Sequence, residues 1–510
     1  MPALRGAIAC GLALLPAGAR WLRVAQREHY LPGSTSRFAW RWWSSRPLAL
    51  PMAAVALAAA GTAFASPLVS LATAVVVIVG PPYLGVRGRT SPLAFTRRLR
   101  LLSAVWLVFQ AAVIVIGVLV HRAAPVAAFG ACAVPLLVDA ACAVLSPVER
   151  RLMRPYVTTA RARLAQVAPV VVAITGSFGK TSTKQHVAHL VAGSRTVVAS
   201  PASFNNRAGL ARAVNEQLAP GTDIFVAEMG TYGKGEIADL CRWCPPAIAV
   251  ITAIGPVHLE RFKTEDAIAA AKSEITVTAH TVVLNVDDPR LAALADRLAA
   301  TGTKTVVRCS ATDPTADVAV VAGDGGPSGT SVYVGGVAIG TRIALPTSVQ
   351  PTNLACALGV AFTLGVPHEG ALGRIAGLPP VANRLASAPA PSGVWVIDDT
   401  FNSNPTGARA ALTELARHGE GARRVVVTPG MVELGPRQFE ENRSFARTAT
   451  SVATDLVIVG ETNRRALEAG WSPLHPRRVR SREQAVAWVR TTLGPDDAVL
   501  YENDLPDHYR

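Results

Sequence analysis

Thr175-Gly-Ser-Phe-Gly-Lys-Thr-Ser-Thr-Lys184 stands between an apolar run, Val170-Val-Val-Ala-Ile174, and a stretch from Gln185 to Val191 that can carry a helix. The run reads as a buried parallel strand. Strand, Gly-rich turn, Gly-Lys-Thr and helix form the layout of a phosphate cradle. Gly176 and Gly179, with Ser177 between them, let backbone N–H groups approach phosphate oxygens, and the helix N-terminus adds a favourable dipole. Lys180 supplies a charge for the outer phosphates, and a hydroxyl at Thr181 or Ser182 can hold Mg²⁺. The spacing is shorter than the general pattern, which has glycine where this chain has Ile174. A Gly-rich turn with a chance lysine is the bland alternative; the agreement of strand, helix and two hydroxyls weighs against it.

Around this turn the 510 residues are divided by composition. Half of the chain is apolar and the net charge is +15. Residues 1–165 hold 18 Arg, no Lys and only three acids (Glu28, Asp139, Glu149), whereas residues 166–510 hold 32 basic and 32 acidic groups. A basic chain of this kind can signal nucleic-acid binding. Here the excess flanks apolar segments and the remainder is neutral, so no nucleic-acid partner is expected. The seven cysteines suggest no disulfide framework, and Cys241-Arg-Trp-Cys244 lacks the second pair or the histidines of a zinc site.

Four nearly uncharged stretches, 47–66, 67–86, 101–120 and 124–146, are each long enough as helices to cross a hydrocarbon core of about 30 Å. Arginines before the first, between the second and third, and after the fourth predict that those ends face the cytoplasm. The chain is thus expected in the bacterial cytoplasmic membrane, multi-pass, with the lipid bilayer as a partner and its catalytic domains in the cytoplasm. Residues 6–19 are apolar but short, and their flank reads as uncleaved. Trp42-Trp43 beside Arg41 suits an interfacial belt, and Asp139 is a lone intramembrane acid.

Beyond residue 166, β-branched runs at 224–227, 248–254, 282–284, 425–427, 456–459 and 498–500 alternate with helical stretches, which predicts α/β layers with parallel sheets. Residues 313–345 read as short antiparallel strands and 386–393 as a linker. The expected domains are a membrane region over 1–150, a central nucleotide-binding domain over 151–385 and a C-terminal domain over 386–510.

The turn alone names no reaction, but residues further along the chain narrow the choice. Glu228 ends a strand, at the sheet edge where ligands bind in such folds. Gly255-Pro-Val-His258-Leu-Glu260 comes after the next strand, and Ala271-Lys272-Ser-Glu274-Ile275 comes later. Singly these are a helix cap, a core histidine and a surface lysine; their joint order is far less common. With Phe204-Asn-Asn-x-x-Gly209, Glu228-Met-Gly, Gly235-Glu-Ile-Ala238, Asn353, Arg384, Ile397-Asp-Asp-Thr-Phe-Asn-Ser-Asn-Pro405 and Gly430-Met-Val-Glu-Leu-Gly435, the stretch from about 170 to 510 resembles the Mur ligases. These are ATP-dependent enzymes that build the peptide stem of bacterial cell wall.

The resemblance implies an α/β soluble part, a P-loop central domain followed by a Rossmann-like C-terminal domain, preceded here by an α-helical transmembrane region. It implies ATP and two Mg²⁺ sites. Lys180 would hold the β/γ-phosphates, Thr181 and Glu228 one Mg²⁺, and His258 a second together with Lys272, carbamylated by CO₂. Asn353 would contact adenine, Arg384 phosphate and Asp399 the nucleotide. Asn205 and Asn206 belong to a substrate-side motif, while Asn402, Ser403 and Asn404 would sit near the incoming amine. A carboxylate would take the γ-phosphoryl group as an acyl phosphate, and an amine, an amino acid or dipeptide, would then displace phosphate to leave an amide.

Departures from the family pattern are Gln350, Phe401, Asn442 and Tyr501-Glu-Asn-Asp-Leu-Pro-Asp507, mostly near the expected acceptor pocket. Membrane helices stand where the family's domain for the uridine-diphosphate end would be, which points to a carboxylate substrate that is lipid-linked or otherwise held at the membrane surface. A ligase for a capsule polyamino acid or secreted peptide is the neighbouring reading, and a nucleotide-gated membrane scaffold without ligase chemistry a more distant one.

Overall fold

The computed structural model describes every residue except 45–47, 83, 87–92, 202–203, 324–325, 382, 402, 419–420, 473–474, 507 and 510, together with the side chains of 326–328. Arg46, Arg87, Arg89 and Asn402 therefore lie outside the described residues. The chain forms two compact units, one of Met1–Arg154 with Leu505–Arg510 and the other of Pro155–Asp504.

The first unit is helical. Among the described residues, two of its helices, Pro2–Arg27 and Arg97–Leu119, are long and apolar enough to cross a membrane. A third span is added if Ala123–Cys132 counts together with the helix that comes after it at a 71° bend. Four spans were expected. The first two of those stretches form Ala49–Thr62, of 14 residues, and Ser70–Val79, of 10, and at 1.5 Å per residue neither reaches across about 30 Å. The short segment 6–19 instead lies inside a 26-residue helix. Its arginines do not end it because carbonyl oxygens near the C-terminal end of the neighbouring helix take up their charge. Arg20 donates to Gly80 at 2.7 Å and to Ile78 at 2.6 Å, and Arg23 donates to Gly85 at 3.0 Å. Gly18 lets the helices close up: a Cβ there would lie 2.2 Å from the Trp106 ring.

Two polar groups of this unit find partners that sequence periodicity does not reveal. Asp139 is buried and accepts from the backbone N–H groups of Thr35 at 3.1 Å and Ser36 at 2.7 Å, at the N-terminus of helix Ser34–Ser44. It caps a helix from outside that helix. Trp42 is buried rather than interfacial, and its indole N–H donates to the carbonyl oxygen of His508 at 2.8 Å. The His508 ring, 2% exposed, meets Glu28 at 2.9 Å and packs edge-on against Phe38.

The second unit holds two sheets. The strands of the first are β1 Val170–Thr175, β2 Val197–Ala199, β3 Ile224–Glu228, β4 Ile248–Ile251, β5 Thr281–Asn285, β6 Thr305–Ser310, β7 Val318–Gly323, β8 Gly326–Val334 and β9 Val337–Ile343. They lie in the order β2-β3-β1-β4-β5-β6-β7-β8-β9, parallel through β7, and β8 and β9 add antiparallel. Both faces are covered, which is why these strands are apolar at successive positions: Val171 and Ala173 enter one core, Val172 and Ile174 the other. Because β1 lies between β3 and β4, the chain leaves it toward one side and continues from β4 toward the other. A crevice opens at such a reversal, beyond the carboxyl ends of the strands.

The second sheet comprises β10 Ala386–Pro389, β11 Trp395–Asp399, β12 Arg424–Thr428, β13 Asp455–Val459, β14 Arg477–Val479 and β15 Ala498–Glu502, in the order β10-β11-β15-β12-β13-β14. All pairs are parallel except β10 with β11. The expected linker at 386–393 thus begins as an edge strand, its prolines tolerated where one side needs no ladder partner. At the carboxyl edge Glu502 is fully buried. Ser403 donates to one of its oxygens and Thr428 to the other, at 2.5 Å. Burial pushes its carboxyl up to about 7 despite those two donors.

Both buried carboxyls make measurable contributions. Asp139→Ala leaves the buried Thr35 and half-buried Ser36 N–H groups without their acceptor and should cost about 1–3 kcal/mol, read as a lowered thermal midpoint of the detergent-solubilised protein, with Asp139→Asn milder. Glu502 holds its proton in the folded state well above the ordinary value of 4.5. The folded state therefore binds more protons than the unfolded one between about pH 4.5 and 7, and stability falls across that window by about 3 kcal/mol as pH rises. Urea melts at several pH values should show this decline in the wild type and a smaller one in Glu502→Gln.

Candidate active site at the carboxyl edges of the two sheets

The turn after β1 is built by the turn after β4. Ser177 N–H donates to the Ala253 carbonyl at 2.8 Å, the Ser177 hydroxyl to that of Gly255 at 3.2 Å, and Thr252 Oγ1 to that of Phe178 at 2.5 Å. This close seam requires glycine. A Cβ on Gly176 would stand 1.9 Å from Thr252 Oγ1, and one on Gly179, at φ 82°, would stand 2.2 Å from Asn353 Oδ1. Helix Lys180–Val191 starts directly at the turn, so its first backbone N–H groups face the same crevice.

Two lysine side chains meet on one oxygen. Lys180 Nζ donates to the Gly176 carbonyl at 2.7 Å and Lys272 Nζ donates to the same atom at 2.9 Å. Lys272 is buried, and burial together with the charge of Lys180 holds its amine well below the ordinary lysine value. Lys180 is partly open to water yet enclosed by protein on the scale of its charge. Burial lowers it to about 8, Glu228 opposes that, and Arg384 adds to it. Arg384, set before β10, is itself lowered by burial, with Asp399 and Glu228 opposing. Its guanidinium lies over the Phe401 ring, 4.5 Å from the centroid.

Glu228 is the anion among these cations. Thr181 Oγ1 and Lys184 Nζ donate to its Oε2 at 3.0 and 3.1 Å, and Asn205 donates to Oε1 at 3.2 Å. Burial alone would raise its pKa, but Lys184 and Lys180 outweigh burial and hold it below the ordinary glutamate value. At the second sheet, Asp399 accepts from Leu385 N–H at 3.1 Å, and burial pushes its carboxyl up to about 6.

Of the side chains singled out from sequence, Gly176, Ser177, Gly179, Lys180, Thr181, Glu228, Lys272, Asn353, Arg384 and Asn205 converge on this turn. Ser182 is buried in the first turn of the helix. Asn206 and Asn404 turn to local work: each caps a helix, accepting from Gly209 and Gly407 N–H at 3.0 Å. His258 lies at the end of the β4 turn, where its Nδ1 pairs with Glu433. Among the described residues, no group of three His, Cys, Asp or Glu side chains could hold a metal ion.

Sequence reasoning passed over Lys184, Thr252 and Glu433. Lys184 carried a signal: it lies three positions after Thr181 and four after Lys180, on the same helix face. Thr252 and Glu433 depend on which strands neighbour each other, which no local spacing encodes. Cys241 and Cys244 are buried free thiols, and among the described residues they join no metal cluster.

Comparison with known proteins identifies the family of the fold. The Mur ligase middle-domain family model matches residues 174–361, and the Mur ligase glutamate-ligase domain model matches 383–501. The chain is 32% identical over 376 residues to the UDP-N-acetylmuramoyl-tripeptide–D-alanyl-D-alanine ligase of Mycobacterium tuberculosis, covering 67% of this chain and 72% of that one. Among solved structures it is similar to MurF of Acinetobacter baumannii, with TM-score 0.59, 23% identity, and coverage of 68% of this chain and 77% of that one. It is also similar to the MurF ligase of Thermotoga maritima in complex with ADP, with TM-score 0.59, 24% identity and coverage of 69% and 80%. These two likenesses are of fold. The chain belongs to the Mur ligase family and is an ATP-dependent ligase that forms amide bonds.

Proposed function

We propose that this chain is a membrane-anchored ligase of cell-wall peptide synthesis that joins a D-alanyl-D-alanine-type amine to a carboxylate carried on a lipid-linked precursor. The carrying observation is the crowding of Lys180, Lys272 and Arg384 around the turn after β1, with each side chain pushed toward its neutral form. A polyphosphate in that crevice relieves the repulsion and meets the N–H groups of the turn and helix start, the P-loop arrangement. The relatives named for a tripeptide and D-alanyl-D-alanine support the choice of substrates. The apolar helices Pro2–Arg27 and Arg97–Leu119, outside the matched family models, support the anchor and the lipid-linked donor. The arginine-rich flanks support cytoplasmic catalytic domains.

The residues fit the groups that the family uses. Thr181 and Glu228 offer a hydroxyl and an ionised carboxylate on adjoining elements, suited to one Mg²⁺, with Lys184 neutralising Glu228 until the ion arrives. Burial and the charge of Lys180 favour the neutral form of the Lys272 amine, which would add CO₂ and release one proton; the anionic carbamate, with His258, would suit a second Mg²⁺. Bound Mg²⁺ supplies charge stabilisation to the transferring phosphoryl group. Lys180 swings from the Gly176 carbonyl to the β/γ-phosphates, and Arg384 adds charge from the side of β11. Asn353 faces the adenine end, and Asp399 fixes the nucleotide from the second, Rossmann-like sheet. The donor carboxylate takes the γ-phosphoryl group, ADP leaves, the amine attacks the acyl carbon, and phosphate departs. The segment Ser403–Asn404 lies beside the acceptor.

Purified protein in lipid nanodiscs, given ATP, Mg²⁺ and D-alanyl-D-alanine, should release phosphate only when a donor is present, and faster with the lipid-linked precursor than with the soluble uridine nucleotide. Turnover of the soluble donor alone overturns the lipid-linked assignment, and release without any donor or amine overturns the ligase reading. Enzyme stripped of CO₂ should lose activity and regain it with bicarbonate. Lys272→Met should lower kcat by about 100-fold and show no bicarbonate response.

A further inference from the structure

We propose that Glu433 is a positioning residue through which the second sheet completes the site of the first, by holding His258 in the tautomer and orientation that the second cation requires; this rests on His258 being a ligand of that cation. Glu433 lies in the turn after β12, and His258 in the turn after β4. The chain between them runs through both sheets, yet His258 Nδ1 and a Glu433 carboxylate oxygen are hydrogen-bonded. Both residues adopt φ 63°, a left-handed backbone that non-glycine residues rarely take. Two such positions at the two ends of one hydrogen bond mark a contact that the surrounding packing enforces.

The contact is framed on three sides. The Tyr232 ring stands edge-on to His258 with centroids 5.0 Å apart, and the Arg261 guanidinium lies 4.8 Å from the centre of Tyr232. Two residues beyond Glu433, Gly435 presses on Leu259, where an added Cβ would come within 3.3 Å of the Leu259 Cβ. Two residues further, Arg437 pairs with Glu265 at 2.6 Å. The turn 433–437 therefore lies along the segment 258–265, and Glu433 is the member of that row that reaches a side chain of the site.

The chemistry of the pair fixes what it can do. An ionised carboxylate only accepts, so Nδ1 carries the hydrogen, and Nε2 presents its lone pair on the far side of the ring. That is the form that binds a divalent cation, and carboxylates behind metal-binding histidines commonly set the ring this way. Because the carboxylate comes from the second sheet, the ring is held only when that sheet's turn lies against the first. The orientation of the ring thereby depends on residues of both sheets.

Mn²⁺ binding to the full chain in detergent, with ADP present and followed by electron paramagnetic resonance, tests this apart from turnover. The wild type should bind two ions. Glu433→Ala should weaken one of them by about 10- to 100-fold, leave the other unchanged, and lower kcat while the KM for ATP stays within about twofold. Glu433→Gln can still accept from Nδ1–H and should recover part of both losses. Arg437→Ala, which cuts the neighbouring cross-link without touching His258, should leave the affinities of both ions in place. Two ions bound with unchanged affinity in Glu433→Ala overturn the proposal and leave His258 standing as a ligand. A single ion in the wild type overturns the ligand role itself.

Discussion

Lys180 and Lys272 donate to one carbonyl oxygen, that of Gly176. Like charges gather on a single acceptor only where the fold forces them to, and most of the second unit can be understood as the means of doing so. The seam between the turns after β1 and β4 sets the carbonyl in place. Helix Glu265–Ser273 delivers Lys272, buried and with the charge of Lys180 beside it. Arg384 comes from the approach to β10 and adds a third positive group. Against these, Glu228 is matched by Lys184 on the helix behind it. The balance is positive around the Gly176 carbonyl and neutral at Glu228.

The central sheet was legible because its strands are buried on both faces. Val170 to Ile174, Ile224 to Ala227 and Val282 to Leu284 are continuous apolar runs, which a parallel strand between helix layers needs and an exposed strand does not. The turn was legible because few residues besides glycine allow its close contacts. The roles of Asn206 and Asn404 were not. An asparagine before a helix reads equally as a cap or as a ligand, and here the helix N-terminus wins, since its N–H group is three residues away and always present. Asn402 lies outside the described residues.

The first unit shows where counting apolar residues fails. The length of a hydrophobic run gives a span only if nothing inside it turns, and 47–86 contains two short helices joined by a turn. Conversely, charges at Arg20 and Arg23 look like the end of a segment until the carbonyls that receive them are seen. Asp139 obeys the same logic: it is an intramembrane acid by sequence and a helix cap by contact. For the arginines and for Asp139 a long-range hydrogen bond decided the matter, and no window of sequence contains both partners.

One arrangement bears on how the chain is made. His508 fills a space between Glu28 and Phe38, and its backbone accepts from Trp42, so the final residues belong to the packing of the first. Synthesis proceeds from the amino end, and domains generally fold as they emerge. The helices up to residue 154 leave the ribosome long before His508 exists. They can cluster early but cannot finish their interior until His508 has been added. A chain cut before His508 thus leaves an open notch beside Phe38 and Trp42.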